Sequence, residues 1–220
     1  MTTSGKETAM NRKLIVISGF SGAGKGMLTQ MLAARHDCLE VIRSCTTRPR
    51  RNETDHYTYL SEEDFLAMRK DGAFLECNCY LGRWYGTPKS EVRRILAEGK
   101  QAIAEIDYHG FFQILEHSAL SREEICGIFV AAEADAFYQV LNARGSESFD
   151  TLLRRLRTAM EESTHLSAYD CVVVNDDLFC ALKQCEDIIL RGRLPVSSFD
   201  AARFCADMQA IITRLETDHA

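Results

Sequence analysis

Residues 19–25 read GFSGAGK, in which Gly19, Gly24 and Lys25 match the pattern G-x-x-x-x-G-K. Small residues allow the backbone to curl around an anion so that successive N–H groups point at it, and the lysine adds a full positive charge. We therefore predict a loop that binds the phosphates of a nucleotide. Its predicted contact residues are Gly19, Ser21, Gly22, Ala23, Gly24, Lys25, Gly26 and Met27.

The two residues after the lysine depart from the general form of this loop. Gly26 and Met27 stand where a Ser or Thr hydroxyl usually contacts Mg²⁺. Because Mg²⁺ releases its waters reluctantly, a metal held mostly through water and substrate phosphates remains compatible with the sequence. The way in which the metal is held is therefore left open at this point.

Two acidic residues, Glu105 and Asp107, lie at the end of a predicted strand at residues 101–106. Side chains two residues apart in a strand face the same side. The carboxyl ends of parallel strands border the ligand crevice in this type of fold. We therefore predict that both carboxylates face the ligand.

The elements that position these residues follow an alternating pattern. Short β-branched runs alternate with amphipathic stretches, which predicts an α/β fold with a parallel sheet. A buried strand at 13–18 precedes the glycine-rich loop and a helix at 25–34 follows it, as the motif requires. Further strands are predicted at 39–43, 101–106, 125–130 and 171–174, and further helices at 91–98, 111–120, 134–143, 151–163, 178–190 and 199–215.

Residues 44–88 interrupt the alternation, because only one helix is obvious in this segment. That helix begins after Ser61, whose spacing to Asp64 is typical of a capping box. We predict an insert that stands beside the sheet. A second irregular stretch, residues 144–150, joins two helices through Gly and Ser and is predicted to move.

Composition limits the partners of the chain. The formal net charge of −6 provides no general basic surface for a nucleic acid. No apolar run approaches the length of a membrane span and the first twelve residues are polar, so we expect a cytoplasmic protein with no membrane partner. Nine cysteines match no disulfide or zinc spacing. Buried free thiols are expected, with metal binding at Cys77 and Cys79 as the alternative.

Eight strings, taken together and in order, make residues 13–190 resemble the guanylate kinases: GFSGAGKG, SCTTRPRR, YTYLSEEDF, FLE, WYGTPKSEV, EIDYHG, ARGSES and VVVNDD. The resemblance implies a P-loop kinase with a central parallel β-sheet flanked by helices, a monophosphate-binding insert and a mobile lid. It implies one kinase domain over residues 1–220, with a core at 13–43 and 89–220, the insert at 44–88 and the lid at 144–150. The implied reaction moves the γ-phosphate of ATP, with Mg²⁺ as cofactor, to GMP or dGMP.

The resemblance assigns the phosphate of GMP to Arg48, Arg51, Tyr57 and Tyr85. Arginine presents a fork that matches phosphate oxygens, and tyrosine adds a hydroxyl donor. Taken alone, the run TTRPRR is more typical of a solvated basic loop. Because the same chain contains a phosphate-binding loop, we instead interpret the run as part of a phosphate site.

The resemblance assigns the recognition of guanine to Ser44, Glu76 and Thr87, and it places Asp107 in the GMP site as well. A carboxylate accepts two hydrogen bonds from the N1–H and exocyclic amine of guanine. Adenine lacks that pair of donors, so we predict strong discrimination between the two bases.

Catalytic roles are implied for four cations. Lys25 and Arg51 are assigned to the transferred phosphate, and Arg144 and Arg155 are expected to reach it when the lid closes. Asn175 matches a position near the adenine of ATP. Glu105 resembles the acid that contacts hydrated Mg²⁺ in the family, and it is one methylene longer than the usual Asp.

Three departures from the family pattern keep alternatives open. The loop at 51–57 is about three residues short, His109 replaces a common Gln, and Val140 replaces an Arg. The alternatives are a non-catalytic binding module of similar fold, and a P-loop kinase that acts on another small phosphate such as a ribose bisphosphate. Either a monomer or a homodimer is compatible with the sequence.

Overall fold

The computed structural model describes residues 13–50, 57–80, 82–143, 148–195 and 197–219. Two compact units are formed by the chain. Of the described residues, the first unit contains those in 17–28 and 127–219, and the second contains those in 13–16 and 29–126. The division into two units does not test the prediction of a single kinase domain, which therefore stays a prediction.

A parallel five-stranded sheet has the strand order β2-β7-β1-β8-β9. Its first strand has the sequence LIVISG and is buried along its whole length, as expected of a strand covered on both faces. With helices that flank the sheet, the predicted α/β class is confirmed. The strands are β1 (Leu14–Gly19), β2 (Leu39–Val41), β7 (Gln101–Glu105), β8 (Ile125–Ala131) and β9 (Cys171–Val174).

The second unit contains a further sheet with the order β4-β3-β6-β5. Its strands are β3 (Cys45–Thr46), β4 (Thr58–Tyr59), β5 (Phe74–Tyr80) and β6 (Arg83–Pro88). One face packs on a small core in which Phe65 and Phe74 stack with ring centroids 4.5 Å apart. The predicted insert at 44–88 thus contains a sheet and a small core, whereas the sequence analysis predicted only its helix.

The helices have strong local start and stop signals. Ser61 accepts a hydrogen bond from Asp64 N at 3.0 Å, and Asp177 accepts one from Cys180 N at 2.8 Å. Gly192, with φ +62°, ends a helix in the left-handed conformation. The helices are α1 (Lys25–Arg35), α2 (Glu62–Lys70), α3 (Lys89–Ala97), α4 (Tyr108–His117), α5 (Ala134–Ala143), α6 (Phe149–Ser163), α7 (Leu178–Arg191) and α8 (Ala201–His219).

Several predicted boundaries shift in the structure. The helix predicted at 151–163 begins earlier, at Phe149, after its N-cap Ser148. The strand predicted at 101–106 ends at Glu105, so Asp107 lies beyond β7. The lid at 144–150 stays a prediction. Within the described residues no helix is both long and apolar enough to cross a membrane.

None of the nine cysteines forms a disulfide. Cys45, Cys126, Cys171 and Cys185 are buried, as expected of thiols that act as small apolar side chains. Cys38, Cys79 and Cys180 are exposed, so burial accounts for only part of the set.

Candidate functional site

The glycine-rich loop lies between β1 and α1, and Lys25 is the first residue of the helix. Gly22 and Gly24 have φ angles of +104° and +84°, which L side chains rarely adopt. Gly19 approaches the neighbouring strand closely, because an added Cβ would lie 2.0 Å from the carbonyl oxygen of Val130. The loop therefore needs glycine at these positions for its backbone path, which supports the predicted phosphate cradle.

Lys25 is tied to the loop backbone. Its Nζ donates to the carbonyl oxygens of Gly19 at 2.7 Å and Phe20 at 3.0 Å. A lysine ammonium carries three N–H donors, so one donor remains for a phosphate oxygen. This geometry holds the charge beside the backbone N–H groups of the same turn, as phosphate binding requires.

Two residues distant in sequence contact this loop within the first unit. Arg155 Nη2, from α6, donates to Ser21 Oγ at 2.7 Å, so the predicted cation reaches the phosphate loop. Asn175 Nδ2 donates to the carbonyl oxygen of Ala23 at 2.8 Å. Asn175 thus braces the loop, a contact that the sequence did not predict, and its assignment to adenine stays a prediction.

The second unit brings four polar residues to one face of the β5–β6 hairpin. In the antiparallel register Glu76 lies opposite Thr87, and Asn78 lies opposite Tyr85. Directly opposed residues in antiparallel strands point to the same side of the sheet. Three of these four were predicted from the sequence, and Asn78 was missed because only the register places it there.

Glu76 is the buried carboxylate of this face, with 6% of its surface exposed. Thr87 Oγ1 donates to Glu76 Oε1 at 2.6 Å. Burial raises the pKa of Glu76 to about 7, the Thr87 hydrogen bond opposes that rise, and the nearby charge of Asp107 adds to it. An ionised carboxylate can accept about four hydrogen bonds, so capacity remains for a ligand that presents N–H donors.

Asp107 has a structural task in addition to its predicted one. Its Oδ1 accepts from Gly110 N at 2.8 Å, which caps α4, and its Oδ2 accepts from Asn78 Nδ2 at 2.7 Å. Gln113 of the same helix accepts from Cys77 N and donates to Cys77 O, both at 3.1 Å. These bonds attach α4 to strand β5 and position the carboxylate between them.

Because Gly110 has no side chain, it leaves room for the carboxylate of Glu76. A Cβ at residue 110 would lie 2.6 Å from Glu76 Oε2 and 3.0 Å from its Cδ. The signal in the sequence was a glycine in the first turn of a helix, within the string EIDYHG.

Replacing Gly110 with alanine is expected to displace the Glu76 carboxylate. We expect the KM for GMP to rise by about tenfold or more, because a shifted acceptor loses charge-assisted hydrogen bonds worth about 1.5–3 kcal/mol each. Alanine favours helix over glycine by about 1 kcal/mol, so the effect cannot be attributed to a weaker helix. Steady-state kinetics with both substrates provide the measurement, and the KM for ATP is the internal control. A wild-type KM for GMP would contradict the prediction.

The pKa of Glu76 also predicts a pH dependence. With a pKa of about 7, the carboxyl group is mostly protonated at pH 6 and mostly ionised at pH 8. Guanine N–H donors need the ionised form, so the KM for GMP should rise about tenfold from pH 8 to pH 6. The phosphate of GMP also titrates near pH 6. The Glu76→Gln variant, which retains only that second effect, is therefore the control. Equal pH profiles for the two proteins would contradict the prediction.

The predicted phosphate-binding side chains of the second unit lie together where the structure describes them. The guanidinium of Arg48 lies 5.3 Å from the centre of the Tyr57 ring, and the rings of Tyr57 and Tyr85 are 6.1 Å apart. Ser44 immediately precedes β3, and its carbonyl oxygen accepts from Thr58 N at 2.9 Å. Arg51 and Arg144 lie outside the described residues, so their roles stay predictions.

A carboxylate suited to hydrated Mg²⁺ is present at the end of β7, where Glu105 is exposed. Solvent-exposed carboxylates and phosphate oxygens are the ligands that Mg²⁺ takes while it keeps several waters. Groups of three or more His, Cys, Asp or Glu side chains that could hold a metal are absent from the described parts of the chain. The residues therefore fit a metal that arrives with nucleotide phosphates.

A phosphate loop between the first strand and first helix of a parallel sheet defines the class of P-loop nucleotide-binding proteins. The sequence model of the family described as guanylate kinase matches residues 11–191. The chain belongs to the guanylate kinase family. The matched residues include the candidate site positions Lys25, Glu76 and Arg155.

Comparisons with individual proteins agree with this assignment. The chain is 38% identical over 189 residues to a guanylate kinase of Clostridium perfringens, and the alignment covers 83% of this chain and 85% of the relative. It is 34% identical over 205 residues to a guanylate kinase of Hahella chejuensis, and the alignment covers 91% of this chain and 96% of the relative. A crystal structure of guanylate kinase from Anaplasma phagocytophilum superposes with a TM-score of 0.64 at 23% identity, covering 84% and 88% of the chains, and so shares the fold.

Proposed function

We propose that the chain transfers the γ-phosphate of ATP to GMP, with ADP and GDP as products. The observation that carries the proposal is the buried Glu76 carboxylate, which is bonded to Thr87 and lies on the same hairpin face as Tyr85. A buried acceptor is stabilised by a ligand that presents a pair of N–H donors, and guanine presents such a pair. A base without those donors would leave the carboxylate unpaired, which makes the discrimination strong.

The chemistry needs no strong general base, because the attacking phosphate oxygen of GMP is already anionic. Catalysis is then mainly alignment and neutralisation of charge on the transferred group. Lys25 and the loop N–H groups bind the phosphates of the donor, and Arg155 adds a second positive charge beside Ser21. Arg51 and Arg144 are proposed to contribute two more.

Mg²⁺ is proposed to enter with ATP and to be held by phosphate oxygens and water, with Glu105 in contact through water. When bound, it neutralises charge on the β- and γ-phosphates. Because Gly26 and Met27 carry no hydroxyl group, the nucleotide phosphates and water are proposed to supply more of the metal's ligands. We further propose that dGMP is an acceptor, and the cytoplasmic location and a monomeric or dimeric state remain predictions.

The function is tested by ADP release with GMP, dGMP, AMP, UMP and a ribose phosphate as acceptors. We expect GMP and dGMP to exceed AMP by at least about 10²-fold in kcat/KM, because AMP leaves the Glu76 carboxylate unpaired. A preference for AMP would overturn the role of Glu76. A folded sample that releases ADP with none of the acceptors would support a non-catalytic binding module instead, and activity confined to the sugar phosphate would support the other kinase.

A further inference from the structure

Phe20 is the one large side chain in the phosphate loop GFSGAGK. It is completely buried, and both of its backbone groups are engaged in the turn. Its N–H donates to Val130 O at 3.2 Å, and its carbonyl oxygen accepts from Ala23 N and Lys25 Nζ, each at 3.0 Å. The ring of Phe20 thus connects the loop backbone and the catalytic lysine to the core of the first unit.

The ring of Phe20 packs against the C-terminal part of the chain. Phe204 of α8 stacks on it with centroids 4.6 Å apart and ring planes 8° from parallel, and Phe204 is itself 2% exposed. Phe199, just before the helix, is 6.0 Å away. Phe129 and Phe137 complete the cluster at 5.1 and 5.5 Å.

Helix α8 lies beyond residue 191, where the match to the guanylate kinase family ends. The contact between the loop and α8 is therefore not one that family membership assigns. A large apolar side chain inside a loop of small residues would be costly if exposed, so Phe20 requires this cover. The apolar residue of the loop, Phe20, is thus paired with an apolar residue of the C-terminal helix, Phe204.

The same helix runs along α6, which carries Arg155. Contacts occur at both ends of α6. His219 stacks on Phe149 with centroids 3.9 Å apart, and Ser163 Oγ lies 3.1 Å from Cys205 Sγ. Near the middle, Arg157 forms an ion pair with Glu216 at 2.6 Å. Helix α8 therefore contacts both elements that supply charge to the donor phosphates in this unit.

We propose that α8 is a positioning element of the ATP site, in which Phe204 sets the conformation of the phosphate loop through Phe20. The inference rests on the proposed function only in that the loop binds the phosphates of a nucleotide. Phe204 is buried in the core and is not proposed to contact substrate. It acts on affinity for the donor through the loop, and the acceptor site in the second unit should be insensitive to it.

The test compares Phe204→Leu with Phe65→Leu, which removes a stacked ring of equal burial from the second unit. ADP is the probe, bound to the full-length chain and measured by calorimetry with no acceptor present. Because an aromatic stack contributes about 0.5–1.5 kcal/mol beyond its buried area, we expect Phe204→Leu to weaken ADP binding by about 3- to 10-fold. Phe65→Leu should leave it unchanged, and in steady-state kinetics Phe204→Leu should raise the KM for ATP but not for GMP.

Phe20→Leu removes the same stack from the loop side and serves if Phe204→Leu does not fold. The double variant should bind ADP no more weakly than the weaker single variant, because both substitutions remove one interaction. Wild-type ADP affinity in either single variant, or equal losses in Phe204→Leu and Phe65→Leu, would overturn the inference. A wild-type chain that binds ADP but phosphorylates no GMP would overturn the proposed function and leave the role of α8 standing.

Discussion

Replacing Lys25 with alanine is expected to lower kcat by about 10³-fold or more while the chain still folds, an effect on the scale of removing one charge that stabilises a phosphoryl-transfer transition state. The physical reason is the position of the ammonium group. Two of its donors are bound to the carbonyl oxygens of Gly19 and Phe20, which holds the third within the phosphate loop. Alanine removes the charge and the two bonds together.

The measurement is the rate of ADP formation at saturating ATP and GMP, accompanied by thermal unfolding. Loss of the two hydrogen bonds should reduce the free energy of unfolding by about 1–3 kcal/mol, which a domain of this size tolerates. Lys183→Ala, at an exposed position of α7, is the matched control for a lost lysine. Turnover at the wild-type level from folded Lys25→Ala protein would contradict a role for Lys25 in catalysis.

The second large effect is expected from Glu76→Gln, which should lower kcat/KM for GMP by about 10²-fold or more. Glutamine keeps the oxygen that accepts from Thr87, at 2.6 Å in the wild type, so the local packing is preserved. It places an N–H₂ group where the second carboxylate oxygen was. When guanine binds, this N–H₂ group faces an N–H group of the base, and both are donors. The preference for GMP over AMP should therefore shrink.

The same substitution should raise stability at alkaline pH. The pKa of Glu76 is raised by burial from 4.5 to about 7, so the folded state binds the proton more tightly than the unfolded state. Stability contributed by this group is therefore present at low pH and falls as pH rises through the window from about 4.5 to about 7. Above that window the buried charge opposes folding, and a neutral glutamine removes the penalty.

We expect Glu76→Gln to melt at least about 2–4 °C higher than wild type at pH 8, which corresponds to roughly 1 kcal/mol for a chain of this length. At pH 4.5 or below the difference should vanish, because the wild-type carboxyl group is then protonated in the folded state. Glu63→Gln, at an exposed position of α2, is the control for removing a carboxylate. A lower melting temperature at pH 8, with unchanged preference for GMP, would contradict both assignments.

Local chemistry made the phosphate loop predictable from the sequence. The residues that form it are contiguous, and its turns need glycine for backbone reasons that do not depend on distant contacts. The same holds for the N-cap at Ser61, whose partner Asp64 is three residues away. The pattern of buried β-branched runs likewise predicted the parallel sheet, because strands covered on both faces need nearly continuous apolar sequence.

Prediction of the proposed acceptor site requires the register of a hairpin in addition to residue types. Glu76 and Thr87 were assigned from family resemblance, but their hydrogen bond exists because β5 and β6 pair in one register. A shift by one residue would turn every side chain of the strand to the other face. Asn78 was missed for the same reason. Gly110 was missed because only the tertiary structure shows that the Glu76 carboxylate fills the space beside it.

The division between the two sources of information follows the distance over which an interaction acts. Sequence alone determined the fold class, the phosphate loop and the cap at Ser61, because each depends on patterns within short stretches of the chain. Tertiary structure alone decided that Asp107 contacts Asn78, that Arg155 reaches Ser21, and that Phe204 covers Phe20. These contacts join residues far apart in the chain. They arise from how helices dock to bury apolar surface, which no local spacing specifies.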